Sequence, residues 1–155
     1  MLKFVLPFVL AAGLASAQEA APPETEGPMT AARMAQIATA LDPEARLGRN
    51  GIELTIADVP VLIVMDVVAD RMRAMVPIRD ASEMSAAELA RVMQANFDTA
   101  LDARYAIARD RLWAVFIHPL SPLERDQLIS GLGQTVNIAL TYGSGYSGGA
   151  MSFGG

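Results

Sequence analysis

The chain has 155 residues, 52% of them hydrophobic and 19% charged, with no cysteine and a formal charge of −5. That length allows one domain with tails, and the absent cysteines exclude disulfides, thiol chemistry and sulfur-ligated zinc. A single histidine, His118, leaves little for metal or nucleophilic catalysis, and the acidic balance argues against nucleic acid as a partner, because neutralising phosphates needs a basic surface.

Met1-Leu2-Lys3 is a short positive start, Phe4 to Leu14 an apolar run, and Ala15-Ser16-Ala17 a small-x-small cleavage site. Residues 1–17 therefore read as a secretory signal peptide cut after Ala17. The run is too short for a membrane span, which needs roughly 20 residues, so no stable membrane insertion is expected once the signal is removed. The remaining chain holds eleven arginines against 17 acids, a formal charge of −6. The expected location is periplasmic or secreted.

Residues 18–28 (QEAAPPETEGP) carry three prolines and three glutamates but no large apolar residue. They cannot bury enough area to offset the entropy of ordering and read as a flexible linker. Residues 143–155 hold six glycines and read as a glycine-rich tail. Tyr146, Met151 and Phe153 within it leave open whether it is disordered, docks back on the sheet or meets a partner. The ordered domain is expected over 29–142.

Thr30 is a candidate cap for a first helix, with Met34, Ile37, Ala38 and Leu41 at helical spacing and Pro43 as its stop. After Asn50-Gly51, Ile52, Leu54 and Ile56 alternate with polar residues and predict a half-buried strand. Asp58-Val59-Pro60 predicts a turn. The valine-rich run Val61 to Val68 predicts a central strand buried on both faces. Following a turn at Ala69-Asp70, Met72, Ala74, Val76 and Ile78 alternate with Arg71, Arg73 and Arg79, which predicts one apolar and one arginine-bearing face.

Ser85 with Glu88 forms a capping box for a second helix, carrying Leu89, Val92 and Met93 and running to about Asn96. Tyr105–Arg109 and Leu112–Ile117 predict two strands turning at Asp110-Arg111. A second capping box, Ser121 with Glu124, has Pro122 at the first helical position. It opens a helix with an apolar stripe from Leu128 to Leu140. Gly131 and Gly133 inside that helix each cost about 1 kcal/mol relative to alanine, which points to something packed closely on their face. The order α-βββ-α-ββ-α, with short turns between consecutive strands, predicts an α+β domain in which an antiparallel sheet of about five strands carries three helices.

Asp70-Arg71-Met72-Arg73 with Val76-Pro77-Ile78, then Leu89 through Asn96-Phe97, Tyr105-Ala106-Ile107 with Leu112-Trp113, and the helix start at Pro119–Leu123 together resemble the YbjN-type family. Its members are regarded as bacterial sensory-transduction regulators and share a fold with type III secretion chaperones of the Tir-chaperone kind. The resemblance covers about 50–142. It implies a small secretion-chaperone-like domain, often a homodimer, that binds protein segments rather than turning over a substrate. The signal peptide is a departure: a secretion chaperone works in the cytoplasm beside the export machine, so that particular task does not carry over.

The candidate binding residues are Arg71, Arg73, Tyr105, Trp113 and His118. Arg71 and Arg73 share a strand face and could grip a carboxylate or phosphate; the plainer reading is a solvated face paired with neighbouring acids. Trp113, the sole tryptophan, alternates with Val115 and Ile117, opposite Leu112, Ala114 and Phe116. One face of that strand must therefore meet something besides the sheet's own helices. That is either a second packed layer, such as the first helix, or a dimer or partner surface, where Tyr105 also belongs. His118, at a strand end, reads as a partly exposed turn residue or a pH-sensitive contact. The pairs Asp98/Asp102 and Asp66/Asp70 read as solvated acids, because no third oxygen ligand stands at regular spacing. There is no phosphate loop, nucleophile elbow or H-E-x-x-H motif. The expectation is an exported, non-enzymatic interaction module, chaperone-like or regulatory, with no cofactor and no metal. It is expected to be homodimeric and to bind a protein segment. The alternative is an envelope sensor holding a small anionic ligand through Arg71 and Arg73.

Overall fold

The computed structural model describes residues 26–49, 51–98 and 100–143. The expected signal peptide, most of the linker and the glycine-rich tail beyond Gly143 lie outside the described residues.

Helix α1 (Ala31–Leu41) starts where Thr30 leaves helical geometry and its hydroxyl accepts from the Arg33 amide at 3.1 Å. Met34, Ile37 and Ala38 face the core. Strands β1 (Arg46–Leu47), β2 (Gly51–Ile56), β3 (Val59–Asp66) and β4 (Arg71–Asp80) form an antiparallel meander. A short 3-10 turn (Ala81–Glu83) leads to α2 (Ala86–Asp98). The chain returns through the edge strand β5 (Arg104–Ala108), and β6 (Arg111–Pro119) then inserts beside β4. The six-stranded order is β1-β2-β3-β4-β6-β5. The two-residue β1 raises the count above the five strands expected. Helix α3 (Arg125–Leu140) closes the domain. Among the described residues no helix is long and apolar enough to cross a membrane.

The core lies between one sheet face and the helices. Cross-strand sets such as Ile52, Ile63, Ala74 and Phe116 meet Met34, Val92, Leu128 and Leu132 there. Gly131 lets α3 approach the sheet: a Cβ at that position would lie 2.5 Å from the Phe116 ring. The close packing expected at Gly133 is absent, since nothing lies within 4 Å of its Cβ direction.

Several local expectations are corrected. The Val61–Val68 run is not buried on both faces: Val61, Ile63 and Met65 are buried, Val64 is exposed, and Val67 and Val68 lie in the following turn. The β2–β3 turn is Ala57-Asp58, with φ of 50° and 63°, so Val59 and Pro60 already belong to β3. Two positive φ values match the twist of a two-residue hairpin, and Arg109-Asp110 repeats the geometry between β5 and β6 at 54° and 57°. Arg79 does not share a face with Arg71 and Arg73. A register shift between Pro77 and Arg79 pairs Arg79 with buried Leu112, which turns its side chain toward α2. There its guanidinium bridges Glu83 at 3.2 Å and Glu88 at 3.3 Å.

The Ser85–Glu88 box forms as expected: the Glu88 amide donates to Ser85 Oγ, and the Ser85 amide to Glu88 Oε2. The second box is shifted. Glu124 caps α3 and Gln127 reaches back to its amide. Ser121 is engaged elsewhere, giving its amide to Asp70 Oδ1 at 2.7 Å and its hydroxyl to Asp70 Oδ2 at 2.8 Å. These bonds, led by that from the Ser121 hydroxyl, hold the Asp70 carboxyl below the usual aspartate range.

Candidate interaction surface

Alternation along each strand fixes what the second sheet face presents. Gly51, Val64, Arg73 and Ile117 form one row across it. Glu53, Leu62, Met75, Val115 and Arg104 form the next, followed by the pair Thr55 and Pro60 and, on the far strands, by Pro77, Trp113 and Ala106. None of the apolar residues in these rows belongs to the core cluster beneath the helices. The first helix does not cover them, because its buried residues join the core on the opposite face. Val115, in the middle of the second row, is buried nonetheless. Trp113 lies half-buried, and its Nε1 donates to the Ala108 carbonyl at 3.1 Å. The result is an apolar sheet face that no described element packs on.

Two shallow troughs run over this face and share Leu62 and Trp113. One, of about 440 Å³, is bordered by Arg73 and Arg109. The other, of about 640 Å³, extends toward Asp42, Glu44 and Glu53.

The structure brings Arg71, Arg73 and Trp113 to this face. Arg71 is exposed at the start of β4 and donates to the Asp70 carbonyl at 3.3 Å. Arg73 is exposed and makes no ion pair among the described residues. Tyr105 does not join them. It points the other way, is 7% exposed, and donates its hydroxyl to the Ile138 carbonyl at 3.0 Å. Its backbone is clasped by Asn96, whose side chain bonds both the Tyr105 amide and carbonyl. This ties α2 to the edge strand and occupies backbone groups that an edge otherwise leaves open.

His118 also lies off the surface. It pairs with Met72 on the helix side, stacks on Phe116 at 5.9 Å between centroids, and its Nδ1 lies 2.8 Å from the Pro119 carbonyl oxygen. It sits inside β6 rather than in a turn. The acid pairs do not converge on a cation: Asp98 and Asp102 bond separate glutamines, Gln94 and Gln134. Asp66 caps its own turn, while Asp70 holds Ser121.

A second apolar surface went unread. Met93, Phe97 and Leu101 are 65%, 63% and 68% exposed along the outer side of α2 and just beyond its end. The spacing of four between Met93 and Phe97 is the sequence signal, since residues i and i+4 share a helix face; Leu101 lies beyond the helix, where that rule does not reach. Of Val92 and Met93, adjacent in the helix pattern, only Val92 faces the core.

No family model matches the chain, and no curated protein sequence matches it. Solved structures do share its fold. The Yersinia pestis type III secretion chaperone SycH, in complex with a stable fragment of YscM2, aligns over 70% of this chain and 94% of its own, at 19% identity and a TM-score of 0.53. A chain of the HopA1–SchA chaperone–effector complex aligns over 72% of this chain and 94% of its own, at 7% identity and a TM-score of 0.55. At these identities the likeness establishes the fold: a secretion-chaperone-like α+β domain with an open antiparallel sheet.

Proposed function

We propose that this protein is an exported, non-enzymatic interaction module of the YbjN type that acts as a homodimer and holds a segment of another polypeptide. The observation that carries the reading is the apolar sheet face around Trp113, which no described element covers. Large contiguous apolar patches on small domains mark association sites. The fold supports it, since both similar structures are chaperones in complex with protein partners. The signal-like residues 1–17 support export. The outer stripe of α2 suits self-association: Met93 and Phe97 are uncharged and one turn apart, and a twofold axis sets a patch against its own copy.

Two measurements test this. Sedimentation of the full chain is expected to give a dimer, and Phe97→Glu a folded monomer; a monomeric wild type ends the dimer reading. A photoreactive residue at position 113, used in envelope extract and read by mass spectrometry, is expected to cross-link to a discrete protein. Absence of any protein adduct there overturns the module reading. The shared outward face of Arg71 and Arg73 favours a second reading, a sensor for a small anion. Thermal shifts by anions that vanish in Arg73→Ala would select it.

A further inference from the structure

We infer that the outer sheet face takes an acidic-apolar segment, whose carboxylate pairs with Arg73. This rests on the protein-binding reading above and specifies its surface and its charge. Arg73 projects from β4, in the middle of the sheet, between Val64 and Ile117 on the neighbouring strands. Met75 follows it along the strand on the same face, while Arg71 and Asp66 stand on its other side, so its guanidinium borders the apolar trough. Among the described residues it has no acidic partner. The acids on the same face make contacts elsewhere and no ion pair with Arg73: Asp66 Oδ1 accepts from the Val68 and Ala69 amides, and Glu53 lies 4.0 Å from Arg46. Arg109, at the other side of the same trough, also has no ion pair among the described residues.

Whatever covers this face must either satisfy Arg73 or strip water from an unpaired charge, which is costly. A carboxylate flanked by apolar side chains does the former, and the planar guanidinium fork fixes its direction. A second copy is a poor occupant. A twofold axis along the mid-sheet strand would set Arg73 against its own symmetry mate. The chain's own outlying segments also lack the combination in their side chains: 144–155 has Tyr146, Met151 and Phe153 but no aspartate or glutamate, and 18–25 has Glu19 and Glu24 but no large apolar side chain.

The test uses the full chain and two soluble peptides that alternate valine and serine, one with a central glutamate and one with a central lysine in its place. Binding is read by dye anisotropy and by emission of Trp113, the only tryptophan. The glutamate peptide is expected to bind about tenfold more tightly than the lysine peptide, the size of one charge-assisted hydrogen bond. Arg73→Glu is expected to reverse the order, and Arg73→Gln to abolish the preference. Equal binding of both peptides, or an unchanged preference in Arg73→Glu, overturns the inference. So does a change in sedimentation on Arg73→Glu, which would make the face a self-interface, or a shift in Trp113 emission on removing 144–155, which would assign it to the tail. If neither peptide binds, this inference fails, while the broader reading is still decided separately by cross-linking at position 113.

Discussion

Replacing Gly131 by alanine sets two opposed effects against each other. In a helix interior, glycine to alanine gains about 1 kcal/mol, because the backbone loses less entropy on folding. At Gly131 the new methyl would lie 2.5 to 2.7 Å from three atoms of the Phe116 ring. That ring is 4% exposed, so it cannot swing into solvent. Either α3 moves off the sheet or the ring leaves its well, and overpacking of this kind costs roughly 1–3 kcal/mol. The net expectation is a loss of up to about 2 kcal/mol. Gly133, two residues on, supplies the control: it is exposed with open space around it, so Gly133→Ala should stabilise by about 1 kcal/mol. Urea denaturation of both variants gives the difference directly, and thermal melts should separate them by roughly 4 °C or more per kcal/mol. Combining Gly131→Ala with Phe116→Leu should recover part of the loss, because the two sites share one contact. Gly131→Ala as stable as Gly133→Ala would refute the close approach of α3 to β6.

Three further outcomes follow from the geometry. Asp70→Asn should lower the urea midpoint at neutral pH. Because the folded carboxyl titrates below its unfolded value, about 3.9, its contribution is present above that value and is lost as pH falls through the folded one. The gap from wild type should therefore close in strong acid, and a gap independent of pH contradicts the Ser121 bonds as its source. Ala57→Gly should raise stability by roughly 1 kcal/mol in chemical denaturation, since φ of 50° costs alanine but not glycine; a destabilised variant would mean the turn is formed differently. Tyr105→Phe should cost about 1 kcal/mol through its lost bond to the Ile138 carbonyl. It should leave peptide binding unchanged, and altered binding would return Tyr105 to the interaction surface.

Local chemistry was legible wherever a short-range rule had no competitor. Thr30 and Ser85 cap as read, because an N-cap needs only amides within three residues. Ser121 obeys the same rule on paper. A carboxylate 51 positions away in sequence outcompetes the local amides, and the helix begins at Glu124 instead. The hairpin turns were misplaced by a residue because Ala57-Asp58 and Arg109-Asp110 lack the glycine that usually announces two positive φ values. Arg79 was assigned to the wrong face because one bulge residue inverts every side chain after it, and no local pattern marks the bulge.

Patterning along the chain carries the three helices and five of the six strands in their order, since period-two and period-3.6 repeats are properties of consecutive residues; the two-residue β1 is too short to show one. Patterning also shows that the Trp113 strand has two apolar faces. Which of those faces the helices cover is settled by packing across the whole domain. Burial is a contest among all elements for one core, and α1, α2 and α3 all enter it from the side of Ile63, Ala74 and Phe116. That choice leaves Trp113 and Arg73 outward together, buries Tyr105, turns the half-buried His118 to the helix side, and so sets which residues share the outer face.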